Sequence, residues 1–360
     1  MRVALRRAIS VLALSALMGP GLSSAAIAQA ADPFRTNQPD AESAFDRWLV
    51  TDLKPQALAA GISEATIDRE LAGIDLSQTA VRLDRDQPDD SSTGPSLFSN
   101  YLPKRLTPDR IDRGVRKKSD TALTLSSVGD RYGVPPEILL AIWGMETNYG
   151  GYTGDFDAIA ALATLAFDGR REELFTRELI AALRMIDEGR ASRSDMRGSW
   201  AGALGNVQFL PTSYLKHAVD ADGDGHADIW HSTPDSLASI ANYLIDYGWK
   251  PGGGWGQAVT VPSGFDRGSV RELTRPAECA RVLEKHSRWL PISDWKALGF
   301  TPVPGQSFPA DDTLATLLEV DGPGNGAWLT YGNYRALLGY NCSNFYGLSI
   351  GMLADELKAR

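Results

Sequence analysis

The chain has 360 residues, 43% of them hydrophobic and 22% charged, an ordinary balance for a globular protein with one large core or two modest ones. A net charge of −9 leaves no electrostatic footprint for nucleic acid or for an anionic membrane surface. Four histidines, at 217, 226, 231 and 286, and two cysteines are too scattered for a zinc cluster or a histidine-based triad.

At the N-terminus, Arg2, Arg6 and Arg7 precede an apolar run from Ala8 to Met18, and Ala28-Gln29-Ala30 offers a small-residue cleavage site. Residues 1–30 therefore read as a secretory signal peptide, with a run too short to span a bilayer. Its removal takes the net charge from −9 to −12. No cysteine near the cleavage site can carry a lipid, so the expected product is soluble, outside the cytoplasm and without a stable membrane anchor.

From Ala31 to about Asp90 the sequence is polar with helical periodicity, as in Ala41 to Leu49, and Gln87 to Pro95 is a loop on composition. Phe98 to Leu102 leads into a helical stretch from Asp109 to about Tyr132. Next comes Tyr132 to Gly150, where Pro135 and Pro136 suit a helix opening because the missing N–H goes unused there. Leu139 and Ile142 lie seven and four residues before Glu146, so the three share one face. A carboxylate ending an apolar face is costly to desolvate, and desolvation raises its pKa toward the range a general acid needs. The alternative is a last-turn residue that frays into solvent.

Asp157 to Phe167 is small and apolar, suited to close helix packing, and Arg171 to Glu188 is an amphipathic helix with Leu174, Leu179, Leu183 and Ile186 inward. Gly198 to Pro211 is glycine-rich, with Ser199 and Gln208 as polar groups among apolar neighbours, either a ligand-facing backbone or a packing turn. Asp220 to Asp228 matches the first nine positions of an EF-hand loop: Asp220, Asp222, Asp224 and Asp228 as acids, Gly225 for the turn and a carbonyl from His226. Such hard oxygen donors suit a structural calcium ion. Position twelve is His231 rather than glutamate, and Asp235 is the nearest acid able to close the site; the ion-free reading is a solvated acidic turn.

A helix is expected over Pro234 to Tyr247, a strand at Ala258 to Pro262, and a short helix around Cys279 to Glu284. Thr313 to Val320 and Ala327 to Leu338 look like strands, and a helix runs to Leu357. In an oxidising compartment Cys279 and Cys342 read as one disulfide worth ~3–4 kcal/mol, against the alternative of two buried thiols.

Taken together, Ala141 to Gly150, Gly198 to Gly205 with Gln208-Phe209, the Asp-rich loop, and Tyr340-Asn341 followed by Tyr346 resemble the lytic murein transglycosylase B family, glycoside hydrolase family 103. The likeness runs from about Phe45 to the end, with the motifs in the family's order. It implies a mainly α fold: a lysozyme-like helical core with a helical N-terminal part and a small mixed α/β part. The corresponding segments would be a signal peptide at 1–30, an N-terminal helical part at 31–125, a catalytic core with the EF-hand-like loop at 126–258, a small mixed α/β part at 259–324, and a strand and helix completing the cleft at 325–360.

The resemblance also implies an enzyme that cleaves the β-1,4 bond between N-acetylmuramic acid and N-acetylglucosamine in peptidoglycan and leaves a 1,6-anhydro ring. Glu146 would be the single acid/base, with a pKa lifted toward ~6. Ser199, Gln208, Tyr243, Tyr340, Asn341 and Tyr346 would line the sugar cleft, with Tyr101, Arg170 and Arg171 as further cleft residues. Asp235 would close a calcium site with Asp220, Asp222, Asp224 and His226, and no cofactor would be needed for catalysis. The partner would be the glycan strand of a periplasmic wall; no motif identifies a partner enzyme. Two rivals remain: a muramidase that hydrolyses the same bond with water, and a non-catalytic calcium-stabilised wall-binding module. The first requires a second carboxylate or a positioned water, which the sequence does not show, and nothing orients Asp155 or Asp157 toward Glu146.

Overall fold

The computed structural model describes residues 38–87, 97–274 and 276–360; the expected signal peptide and most of the loop up to Pro95 lie outside them. The described residues divide into two compact units, one of 97–149 and 240–360, the other of 38–87 and 150–239.

In the first unit, the helix Pro136–Thr147 is apolar all round, and every residue from Ile138 to Gly144 is buried. It packs along the C-terminal helix Asn344–Lys358 and against Pro108–Asp120 and Ala122–Tyr132. The stretch expected to be one helix from Asp109 to Tyr132 breaks at Thr121, whose backbone leaves helical geometry. Beyond Trp255 the chain forms a five-stranded antiparallel sheet in the order Leu290–Pro291, Leu314–Leu318, Trp328–Thr330, Gly256–Thr260, Thr301–Pro302. Leu329 pairs with both Gln257 and Leu317. One face of the sheet covers a core of Val259, Leu290, Trp295, Phe300 and Leu317.

One expectation fails here. Of the strand read over Ala327 to Leu338 only Trp328–Thr330 is strand; Gly332–Tyr340 is helix. Residues 336–340 are all buried, and a run buried on every side carries no alternation to tell strand from helix. Cys279 and Cys342 are bonded, Cα atoms 5.8 Å apart, so the segment after this helix is tied to the sheet-bearing part. His286 adds a second tie. It is buried, meets the Thr316 hydroxyl at 2.9 Å and Asn344 Oδ1 at 2.9 Å, and burial depresses its pKa to about 3, so it stays neutral.

The second unit is helical around Ala158–Asp168, nine of whose residues, Ala158 to Ala166, are buried. Small side chains let Glu172–Asp187 lie close against it. Leu179 and Leu183 are buried as expected; Leu174 and Ile186 are half-buried. Glu178, fully buried on the same helix, accepts the Thr212 N–H at 3.0 Å and its hydroxyl at 2.9 Å, capping Pro211–His217 from outside.

Close approach at one glycine is testable. A Cβ on Gly144 would stand 2.5 Å from the Tyr149 ring, which packs edge-on to Trp143 at 5.9 Å. We expect Gly144→Ala to lower stability by about 1–3 kcal/mol through forced movement of that ring, measured by chemical denaturation; an unchanged midpoint would show that the ring moves freely.

Candidate active site

The helix Pro136–Thr147 starts with proline in its first turn and ends in three successive left-handed residues, Asn148 (φ 53°), Tyr149 (φ 61°) and Gly150 (φ 78°). Glu146 therefore sits in the last turn, among the carbonyl ends of the helix, where a negative charge is disfavoured. Its side chain is partly exposed, yet protein crowds the carboxyl. Burial raises its pKa from 4.5 to about 7, against opposing pulls from a Tyr346 hydrogen bond and the Arg105 charge.

Tyr346 supplies the decisive contact. Its hydroxyl donates to Glu146 Oε1 at 2.6 Å. Ser343 fixes its position by capping Asn344–Lys358: the Ser343 Oγ accepts the Tyr346 N–H at 3.4 Å. The Tyr346 ring lies nearly parallel to that of Tyr340 (9°, centroids 6.3 Å apart), and Tyr340 meets Tyr243 at 4.7 Å. Tyr243 is held by its hydroxyl, which donates to the Gly339 carbonyl at 3.0 Å. Burial pushes all three phenols well above their ordinary range, so they remain neutral donors. Asn341 follows Tyr340, and its Oδ1 is buried without a hydrogen-bond partner among the described residues. Tyr101 packs against Phe345 at 5.3 Å, on a helix capped by Asp321, which accepts the N–H groups of Phe98 and Ser99 at 2.6 and 2.9 Å.

Glu146, Tyr346, Tyr340, Tyr243 and, through Phe345, Tyr101 are thus assembled within the first unit. Ser199 and Gln208 lie in the second. Ser199 Oγ accepts the N–H groups of Ala201 and Ala203 at 3.3 and 2.9 Å. Gln208 donates to the carbonyls of Thr153 and Gly205 at 2.9 and 3.1 Å. Arg170 and Arg171 both pair with buried Asp84, and their guanidinium groups serve the interior of that unit. Asp157 caps the helix Ala158–Asp168 and pairs with Arg193. Phe345, Asp321, Arg105 and Arg110 carry no sequence signal for their places near the site.

The transglycosylase SLT domain profile matches residues 44–355. Over 333 residues the chain is 34% identical to membrane-bound lytic murein transglycosylase B of Escherichia coli (strain K12), covering 89% of this chain and 83% of that one. The chain belongs to this lytic transglycosylase family. Among solved structures it is similar to SltB3 from Pseudomonas aeruginosa in complex with NAG-anhNAM-pentapeptide, at 40% identity and TM-score 0.78, covering 87% of this chain and 79% of that one. It is also similar to the Escherichia coli lytic transglycosylase Slt35 in complex with calcium, at 28% identity and TM-score 0.70, covering 88% and 93%. The mainly α, lysozyme-like fold class is that of this transglycosylase family.

The Asp-rich loop brings several carboxylates together. Carboxylate oxygens of Asp220, Asp222 and Asp235 lie within 4.8 Å of one another. Asp235 is fully buried; its Oδ1 accepts the Ala221 and Asp222 N–H groups at 2.8 and 3.3 Å, and its Oδ2 that of Asp228 at 2.8 Å. Three convergent hard donors fit a calcium ion. Asp224 lies outside this trio, its Oδ1 accepting the His226 N–H at 2.8 Å. His231 is exposed beside Asp228 rather than closing the loop.

The raised Glu146 pKa carries a sign. A carboxyl at about 7 in the fold and near 4.5 in the unfolded chain favours the folded state below pH 4.5, relative to high pH, and that advantage is lost as pH climbs through 7. Glu146→Gln should match wild type near pH 4.5 and exceed it by roughly 2–3 kcal/mol at pH 8. Denaturation across that range checks it, and a pH-independent difference would contradict the burial argument.

Proposed function

We propose that this lytic transglycosylase cleaves the β-1,4 bond between N-acetylmuramic acid and N-acetylglucosamine in peptidoglycan, with Glu146 as its single acid/base and the muramic acid O6 as nucleophile. The supporting observation is one carboxyl that burial raises to about 7 and whose Oε1 is held by the neutral Tyr346 hydroxyl rather than by a carboxylate. Hydrolysis by the usual route needs two carboxylates.

Tyr346 occupies Oε1, leaving Oε2 for the proton. Glu146 gives that proton to the leaving O4 as the C1–O4 bond breaks. The resulting oxocarbenium-like C1 is met by O6, whose proton returns to the Glu146 carboxylate. No water is consumed, and the tethered hydroxyl replaces a bimolecular partner. The faces of Tyr340 and Tyr346 offer electron-rich surface to the cationic centre, and Asn341 Oδ1 offers an acceptor to a sugar N–H or hydroxyl. Ser199, Gln208 and the backbone of their loop would contact the glycan, as would Tyr101. SltB3 was also solved with NAG-NAM-pentapeptide, which supports glycan strands with stem peptides as the substrate class.

Asp220, Asp222 and Asp235, with a carbonyl from His226, would hold calcium as a structural ion that fixes the loop. The signal-peptide reading and the absence, among the described residues, of a helix long and apolar enough to cross a membrane support a soluble periplasmic protein.

Muropeptides released from purified sacculi should carry 1,6-anhydro ends, one water lighter than hydrolysed products by mass spectrometry. Ordinary reducing ends would establish the muramidase instead, and binding without release the wall-binding module. Glu146→Gln should lower turnover at least ~10³-fold, and retained turnover would remove Glu146 from its role. Among the described residues, the groups that act electrostatically with Glu146 include Tyr346, Tyr340, Tyr243 and Arg105. With no second acid among them, kcat/KM should fall above about pH 7 without a carboxylate limb on the acid side. Tyr346→Phe removes a donor to the carboxylate and should move that fall to higher pH; a fall at lower pH would contradict the contact. Chelation should lower Tm, with calcium at a hundred times its Kd restoring about 2.7 kcal/mol, and Asp222→Asn should abolish the response. A wild-type melt indifferent to chelator and calcium would leave the loop ion-free.

A further inference from the structure

We infer that Arg105 is a specificity-determining residue that pairs with a carboxylate borne on the 3-O-lactyl arm of the muramic acid, either the free lactyl acid or an acid of an attached stem peptide. The inference rests on the reading of the Glu146 site given above and adds what distinguishes its sugar.

The helix Phe98–Arg105 ends in two exposed cations, Lys104 and Arg105, on a chain whose net charge is −9. The Arg105 guanidinium lies over the Tyr101 ring at 5.2 Å, and no carboxylate among the described residues pairs with it. Tyr101 packs on Phe345, the neighbour of Tyr346, whose hydroxyl holds Glu146. The guanidinium is thus linked to the acid through Tyr101, Phe345 and Tyr346, and its charge opposes the effect of burial there.

A second cation shares the place. Arg110 donates through one terminal nitrogen to the Arg105 carbonyl, and the same nitrogen lies 3.7 Å from Met145 Sδ, one residue before Glu146. Its Nε is buried without a hydrogen-bond partner. Burial, then Arg105, lowers its pKa. Two other cations on that helix pair with acids, Arg113 with Asp109 at 2.9 Å and Lys118 with Glu137 at 3.1 Å. Two like charges side by side, one exposed and stacked in place, fit an anion arriving from outside the chain.

The substrate chemistry supplies one. Muramic acid differs from glucosamine by a lactyl ether at O3, whose carboxyl is either free or amide-linked to a peptide with acids of its own. A guanidinium presents paired N–H groups that match a carboxylate, and stacking on Tyr101 pre-orients it. Arg105 is placed to bind that anion; it takes no part in the proton transfers.

The test compares wild type, Arg105→Gln and Arg105→Lys on three soluble glycans: stem-bearing, peptide-free with free lactyl acids, and peptide-free with those acids converted to primary amides. Arg105→Gln should lose tenfold or more in kcat/KM on acid-bearing glycan, mainly through KM, and less than twofold on the amide. Arg105→Lys should recover part of the loss. A loss confined to stem-bearing glycan assigns the acid to the peptide; a loss on peptide-free glycan as well assigns it to the lactyl group. Equal losses on all three, or none on any, would overturn the inference. If wild type yields no 1,6-anhydro ends from any glycan, the underlying reading fails and this inference with it, a pattern unlike either Arg105 result.

Discussion

The hydrogen bond from Tyr346 to Glu146 joins residues 200 positions apart, and the first unit is arranged around keeping it. A carboxyl crowded by protein at the carbonyl end of a helix is unfavourable when charged. It is tolerable only if the fold holds its proton or supplies a donor, and this one does both. Tyr346 must therefore arrive from the far end of the chain with its hydroxyl in place. The Ser343 cap, the disulfide at Cys342 and the buried contact of His286 with Asn344 all lie within four residues of it. The sheet-bearing part of the unit thus acts through the segment it anchors: it sets where the last helix begins.

The second unit shows the same principle with different chemistry. Among its buried acids, Asp84, Glu178 and Asp235 are held by two arginines, by Thr212, and by three backbone N–H groups respectively, and Glu70 pairs with Arg69 and Arg193. These acids organise backbone. Arg170 and Arg171 belong with them, their charged groups facing inward to Asp84.

Legibility from sequence followed locality. The Glu146 helix could be read from Pro135-Pro136 and one apolar face because every signal lies within fifteen residues. The calcium-type loop was legible for the same reason. Asp235 is buried, holds three backbone N–H groups and comes within 4.8 Å of Asp220 and Asp222, whereas His231 stays exposed. The pKa of Glu146 was expected near 6 and stands at about 7, because the extent of crowding depends on aromatic rings that come from three distant segments. Asp321 capping a helix 222 residues earlier, or Arg105 lying against Tyr101, has no local signature at all. The strand misread over residues 331–338 is the converse: a local pattern existed but was the same for both outcomes.

As the proposed single acid/base, Glu146 faces a demand that a pair of carboxylates divides between two groups. It must hold a proton before bond cleavage and take one back afterwards, so a pKa far from the working pH would favour one half of the cycle at the expense of the other. A second carboxylate nearby would raise the first further and favour only donation. Neutral phenols avoid this: they line the acid with polarity but no charge, and Tyr346 offsets part of the burial effect by donating to the ionised form. Arg105 offsets it in the same direction from further out. An anion paired with Arg105 would cancel that offset, raising the Glu146 pKa and loading the acid with its proton when an acid-bearing sugar is bound. Recognition of the substrate's charge and the protonation state of the acid would then be coupled through one guanidinium, with no conformational change required.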